Sequence, residues 1–245
     1  RTQLGANEQV ATKESQYWGQ FQLTSHLPSN KVEPETFKSF LLSSGNALLN
    51  MGEYSAASEL YYAQYLERYP LTAEGAAGGG AMTPREDIVR FVMVVYGKAR
   101  CDTERLKVAD GRMKYATTVS KFTSVLKSVR GAMDVVMQNG RPYTGSDSLY
   151  WLVHDGAALT CNVCDPLVAQ GLGEQFVEFY VWCILSMEVY IELCTSRYLT
   201  FRCSIYARAA HSYEDFGNYK AAKRCTERGL GAIKRLREEE AIDPP

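Results

Sequence analysis

Apolar residues recur at three- and four-residue steps along two neighbouring stretches in the first third of the chain. Over residues 37–51 they fall at Phe37, Leu41, Leu48 and Met51, with Ser44 taking one step of the series. Over residues 55–69 one face carries Ala57, Leu60, Tyr61, Gln64, Tyr65 and Tyr69. That period belongs to α-helices with one buried side, and the break Gly52-Glu53-Tyr54 between them predicts a helical hairpin. Gly45 and Ala57 place small side chains where the two helices must approach closely. The pattern returns near the end of the chain. After a helix carrying Tyr206 and Tyr213, Gly217-Asn218-Tyr219-Lys220-Ala221-Ala222 repeats the G-x-Y-x-A-A frame of residues 52–57. In both frames Gly tolerates the backbone that ends a helix, Tyr is expected to pack under the turn, and Ala lets the second helix close on the first. This is the tetratricopeptide-type hairpin pattern. The predicted fold is all-α, with tetratricopeptide-like hairpins in a right-handed repeat-like array.

The remaining segments fill in around the hairpins. Residues 6–23 predict a first helix, with Asn7 as N-cap and Tyr17, Trp18 and Phe21 on one side. Pro34 suits the first turn of the next helix, where its missing N–H does no harm. Residues 73–84 form an Ala/Gly-rich loop; Gly78-Gly79-Gly80 lacks the strand, helix and Gly-Lys-Ser/Thr context of a phosphate loop. Residues 88–96 are β-branched and aromatic, and Leu106-Lys107-Val108 follows the polar run 102–105, which predicts a small inserted β-hairpin over 87–110, with a short helix as the alternative. Helical spacing resumes over 117–138 through Val119, Phe122, Val125, Val129 and Met133. A further helix starts at Ser146 or Asp147, Gly171 and Gly173 break it, and a return helix over 174–194 is apolar nearly all round. Such a helix is normally buried, so part of it is expected to meet chain or a partner outside this sequence. The organisation is one helical segment over 1–245: first helices and hairpin in 6–70, the loop and insertion in 71–115, and further helices ending in the second hairpin in 116–245.

Composition narrows the function. Net charge is −1, from 27 basic and 28 acidic residues, which gives no support for nucleic acid as a partner. The longest apolar run, residues 179–185, falls far short of the ~20 residues that span a bilayer, so no membrane partner is expected. The chain opens on Arg1 and stops soon after a helix, and is read as a piece of a longer protein. Seven cysteines without a disulfide-framework spacing suit a reducing compartment.

Candidate chemistry is sparse. Cys161-Asn162-Val163-Cys164 is the one C-x-x-C, and a zinc site would have to recruit His154, Cys183 or Cys194; inward-packed cysteines are the expected reading. His26, His154 and His211 stand in no catalytic motif, so no enzyme activity and no cofactor are expected. The last helix carries Lys220, Lys223, Arg224 and Arg228, which serve either as a solvated face or as a candidate interaction face for an acidic surface such as tubulin. Two rival readings keep their own features: a soluble tetratricopeptide-type peptide-binding adaptor, and a cysteine-based zinc-binding module.

Three blocks together carry a family resemblance: Gly45…Leu48…Glu53-Tyr54…Ala57…Tyr62…Tyr65-Leu66, then Leu149-Tyr150-Trp151-Leu152, then residues 196–202, Ser-Arg-Tyr-Leu-Thr-Phe-Arg. Their order and spacing resemble the amino-terminal conserved region of the cilia- and flagella-associated protein 54 family. The resemblance covers most of residues 34–233, with 73–111 matching poorly. It implies a large, non-enzymatic helical scaffold of the motile-cilium central apparatus, in a projection of the C1 microtubule in the axoneme. The implied partners are other projection proteins, with calmodulin-associated subunits and tubulin nearby.

Overall fold

The computed structural model describes residues 33–71, 83–111 and 115–242. The expected helix over 6–23 and most of the glycine-rich loop lie outside the described residues. Helix α1 is Pro34–Asn50, with Pro34 in its first turn as expected. Helix α2 runs over 54–68; it widens to a π-helical turn at Ala57–Tyr62 and resumes α geometry at Ala63–Arg68. Then follow α3 (Arg85–Ala109), α4 (Ala116–Asn139), α5 (Tyr150–Val168), α6 (Gly173–Glu188), α7 (Ser196–Asp215) and α8 (Tyr219–Ile242). Short 3-10 turns at Gly145–Asp147 and Ile191–Cys194 connect them.

Three elbows share one geometry. Gly52, Gly171 and Gly217 have φ of 80°, 83° and 80°, a region where a side chain would clash. At the first, Glu53 N–H donates to the Leu48 carbonyl (2.9 Å) and Gly52 N–H to that of Leu49 (3.1 Å); at the last, Asn218 N–H donates to Tyr213 (2.8 Å) and Gly217 N–H to Glu214 (2.9 Å). These are the paired bonds of a Schellman cap, which satisfy the last carbonyls of the incoming helix and turn the chain back. The segments flanking Gly52 and Gly217 accordingly lie side by side: Phe37 meets Arg68 at the open end of the first hairpin, while Gly45 meets Tyr62 nearer the elbow.

Each helix packs chiefly on its neighbours in sequence, from α1 through to α8. The expected β-hairpin over 87–110 is not what forms: those residues make the 25-residue helix α3. Its β-branched residues are used at helical spacing on two faces. Ile88, Val92, Val95, Tyr96 and Ala99 join the main core with α4 to α7, whereas Val94 and Cys101 join the core of the first hairpin. The polar run that resembled a turn forms ion pairs along the outside, with Asp102 2.6 Å from Lys98 and Arg105 2.6 Å from Glu59. Burial on two sides overrides the local strand preference of valine and isoleucine. Far from being an insertion, α3 is the element that joins the two cores.

Two further expectations change. Ser146 and Asp147 lie in a 3-10 turn, and α5 starts at Tyr150 without a side-chain cap. The apolar return helix ends at Glu188, with Phe176, Phe179, Tyr180, Cys183, Ile184 and Met187 buried. Leu185, Val189 and Ile191 remain exposed, so its last turn and the segment after it present apolar side chains to the outside.

Candidate interaction surfaces

The packing sites are built from tyrosines set against glycines. Tyr62, buried completely, donates from its hydroxyl to Asn46 Oδ1 (2.7 Å). A Cβ on Gly45 would stand 2.6 Å from its ring, and one on Gly97 of α3 2.5 Å. The ring therefore occupies a slot that only two glycines leave open. Tyr96 does the same against Gly156, where a Cβ would meet its hydroxyl at 2.3 Å; that hydroxyl donates to the Leu152 carbonyl (2.8 Å). In the second hairpin a Cβ on Gly229 would lie 3.2 Å from the Cβ of Tyr206.

Of the residues expected to pack the hairpins, Gly45, Leu48, Ala57, Tyr61, Tyr65, Tyr206 and Ala222 are buried, and Tyr54 and Tyr213 are half-buried. Gly52 and Gly217 form the elbows. Tyr219 departs from the expectation: it is 71% exposed and does not pack under its turn, whereas Tyr213 at the end of α7 stacks on Phe216 just after it, with rings 5.6 Å apart. Tyr62, Gly97, Tyr96 and Gly156 escape a reading of the hairpins alone. Their signal is a glycine in mid-helix, which has meaning only once its neighbour across the interface is known.

The π-helical turn of α2 brings Ser58, Tyr61 and Tyr62 inward together. Ser58 Oγ donates to Asp102 Oδ1 (2.8 Å), and Lys98 holds the same carboxylate (2.6 Å), tying α2 to α3. Beside this seam, an open groove of about 880 Å³ runs between α3 and α4, floored by Phe91, Val95, Leu106, Val125 and Val135.

Two of the blocks that carry the family resemblance meet in space. Tyr150 and His154 of α5 pack on Tyr198 of α7 at ring distances of 6.1 and 5.2 Å, and His154 lies 4.8 Å from Phe201. His154 Nδ1 is 3.3 Å from Asp155 Oδ1, its neighbour in sequence. The setting is aromatic packing rather than a proton relay. Arg208 Nε donates to both oxygens of Asp165 (2.9 and 3.0 Å), which also accepts from the Tyr180 hydroxyl (2.6 Å). That triad joins α5, α6 and α7.

Cys161 and Cys164 are buried, and desolvation pushes the Cys161 thiol up to about 12 and that of Cys164 well above its ordinary value. A zinc ligand must be a thiolate, so this environment works against metal binding, and no group of three or more ligating side chains converges among the described residues.

Lys220, Lys223 and Arg224 are exposed on α8. Lys223 is 3.7 Å from Glu227, and among the described residues Lys220 and Arg224 have no ionic partner. Arg228 differs, since it pairs with Glu188 of α6 and so helps to hold α8 in place. Glu188 also accepts from the Tyr206 hydroxyl. Next to that junction a cavity of about 360 Å³ is lined by Arg202, Arg228 and Arg235 together with Glu188, Cys194, Ala232 and Leu236.

These features define an all-helical packing domain whose polar groups serve to join helices. The model of the family described as cilia- and flagella-associated protein 54 matches residues 82–243, more than half of the sequence, and the chain belongs to that family. The match takes in the segment 85–109, which the sequence resemblance had set aside. The cilia- and flagella-associated protein 54 of Chlamydomonas reinhardtii is 27% identical over 153 residues, covering 62% of this chain and 5% of its own length. The mouse protein of that name is 23% identical over 233 residues, covering 88% of this chain and 7% of its own, and the human one 21% over 229 residues, covering 86% and 7%. The chain thus spans a small fraction of the length of these relatives.

Proposed function

We propose that this chain is a non-enzymatic scaffold segment of the motile-cilium axoneme, within a projection of the C1 microtubule of the central apparatus. The observation that carries the reading is membership of a family named for cilia and flagella, in a segment whose polar groups join helices instead of lining a reactive centre. The helices act as a tetratricopeptide-like array: a hairpin cannot bury its apolar stripe alone, so neighbours stack into a stiff body with extended sides. Those sides hold neighbouring projection subunits, calmodulin-associated components among them, and the body supports control of beating. The exposed Lys220, Lys223 and Arg224 face an acidic surface, with tubulin the candidate.

Cross-linking mass spectrometry on intact axonemes tests the placement. Links from Lys220, Lys223 or Lys234 to tubulin or to central-apparatus proteins are expected. Links confined to outer-doublet or soluble proteins would overturn it.

A further inference from the structure

The cavity between α6, α7 and α8 is lined by an arginine that has no partner among the described residues. Arg202 is only 6% exposed, yet among the described residues it makes no ion pair and no hydrogen bond with an acceptor. The nearest carboxylate lining the cavity, Glu188, is already engaged by Arg228 and by the Tyr206 hydroxyl. Arg235 lines the same cavity from α8, its Nε donating weakly to the Gly231 carbonyl at 3.4 Å. Three arginines and one carboxylate therefore line the cavity, and one of the three, Arg228, already takes that carboxylate. The guanidinium keeps what little exposure Arg202 has, so its charge opens onto the cavity instead of being sealed in the core. Arginine is the side chain whose planar fork matches a carboxylate in two hydrogen bonds.

We propose that this cavity is an oxyanion site that takes a carboxylate from an acidic protein segment, with Arg202 as its inner cation, Arg235 at its exposed rim, and Arg228 held beside them by Glu188. The cavity of about 360 Å³ has room for the end of one acidic side chain at a time, so it reads a point in a sequence rather than a whole surface. It is separate from the outward face of Lys220 and Arg224. The inference does not depend on the ciliary assignment, since it rests on the cavity and on Arg202, which lines it without a partner, and is tested without axonemes.

The test uses the purified chain and a fluorescein-labelled hexaglutamate peptide followed by anisotropy at low salt, alongside thermal melting. Arg202→Met removes the charge and keeps the length of the side chain. The expected result is binding weakened about tenfold or more with a thermal midpoint that is unchanged or raised, because the variant loses a site and no internal partner. Arg235→Gln, on the exposed rim, should weaken binding while leaving the midpoint in place, and Lys220→Gln should leave both within error. A lowered midpoint for Arg202→Met with unaltered peptide binding would overturn the proposal, as would equal losses in Lys220→Gln, the mark of diffuse attraction. Inorganic phosphate binding more tightly than the peptide would overturn the assignment to a carboxylate.

Discussion

The ring of Tyr62 on α2 stands where a side chain on Gly97 of α3 would have to be: a Cβ there would lie 2.5 Å from its Cζ. Gly45 of α1 makes the same allowance on the other side, so one tyrosine is held by glycines from two helices. The ring cannot retreat from one without striking the other. Gly97→Ala and Gly45→Ala should each lower the thermal midpoint, at a cost of about 1–3 kcal/mol from overpacking. Gly131→Ala, in mid-helix with nothing within 4 Å of the new methyl group, is the control, and should be neutral or stabilise by up to ~1 kcal/mol. Circular dichroism melts of the three variants decide the matter. Equal midpoints for Gly97→Ala and Gly131→Ala would mean that the slot is not tight.

Ala57 and Ala222 occupy matching places after the first and last elbows, and both are buried. Leucine at either site is expected to destabilise by about 1–3 kcal/mol. The tyrosines of the two frames should then part company: Tyr54→Ala lowers the midpoint, because Tyr54 packs on the core of the first hairpin, whereas Tyr219→Ala is almost silent. An equal loss from the two would contradict the exposed position of Tyr219.

That contrast shows which features a sequence can reveal. The elbows were legible because a glycine at positive φ is a local requirement, written into residues 52 and 217 themselves. The buried stripe of α1 was legible for the same reason, since Phe37, Leu41 and Leu48 follow the helical period. Helix α3 was not, because Val92, Val94 and Val95 prefer strands when read alone and become helical only between two cores. Tyr219 misled in the opposite direction: it repeats the frame of Tyr54, which packs on the first core, yet it stands 71% exposed. The second hydrogen-bonded seam, Arg208 with Asp165 and Tyr180, spans 43 residues and has no signature along the chain.

Burial also sets a limit at alkaline pH. Desolvation pushes the Cys101 thiol from 9.0 to about 11, that of Cys161 from 9.0 to about 12, and the Tyr65 hydroxyl from 10.0 to about 12. Each group is neutral in the folded chain and ionises more readily once unfolded. Its contribution is therefore fully present below the ordinary value and is lost as pH climbs through the interval up to the raised one. The thermal midpoint should be flat near neutrality and fall steeply from about pH 9 upward. A midpoint that holds steady from pH 8 to 11 would mean that these groups are open to water.

The scaffold reading is tested most directly by reversing the charge at Lys220, Lys223 and Arg224 together, each to Glu, in the full-length protein within cilia. All three are exposed and none joins one helix to another, so the isolated segment should melt as the wild type does. The measurement is the salt concentration at which the protein is extracted from isolated axonemes. The account predicts release at clearly lower salt with the fold intact. Extraction at the same salt as the wild type would contradict the claim that this face of α8 holds a neighbour.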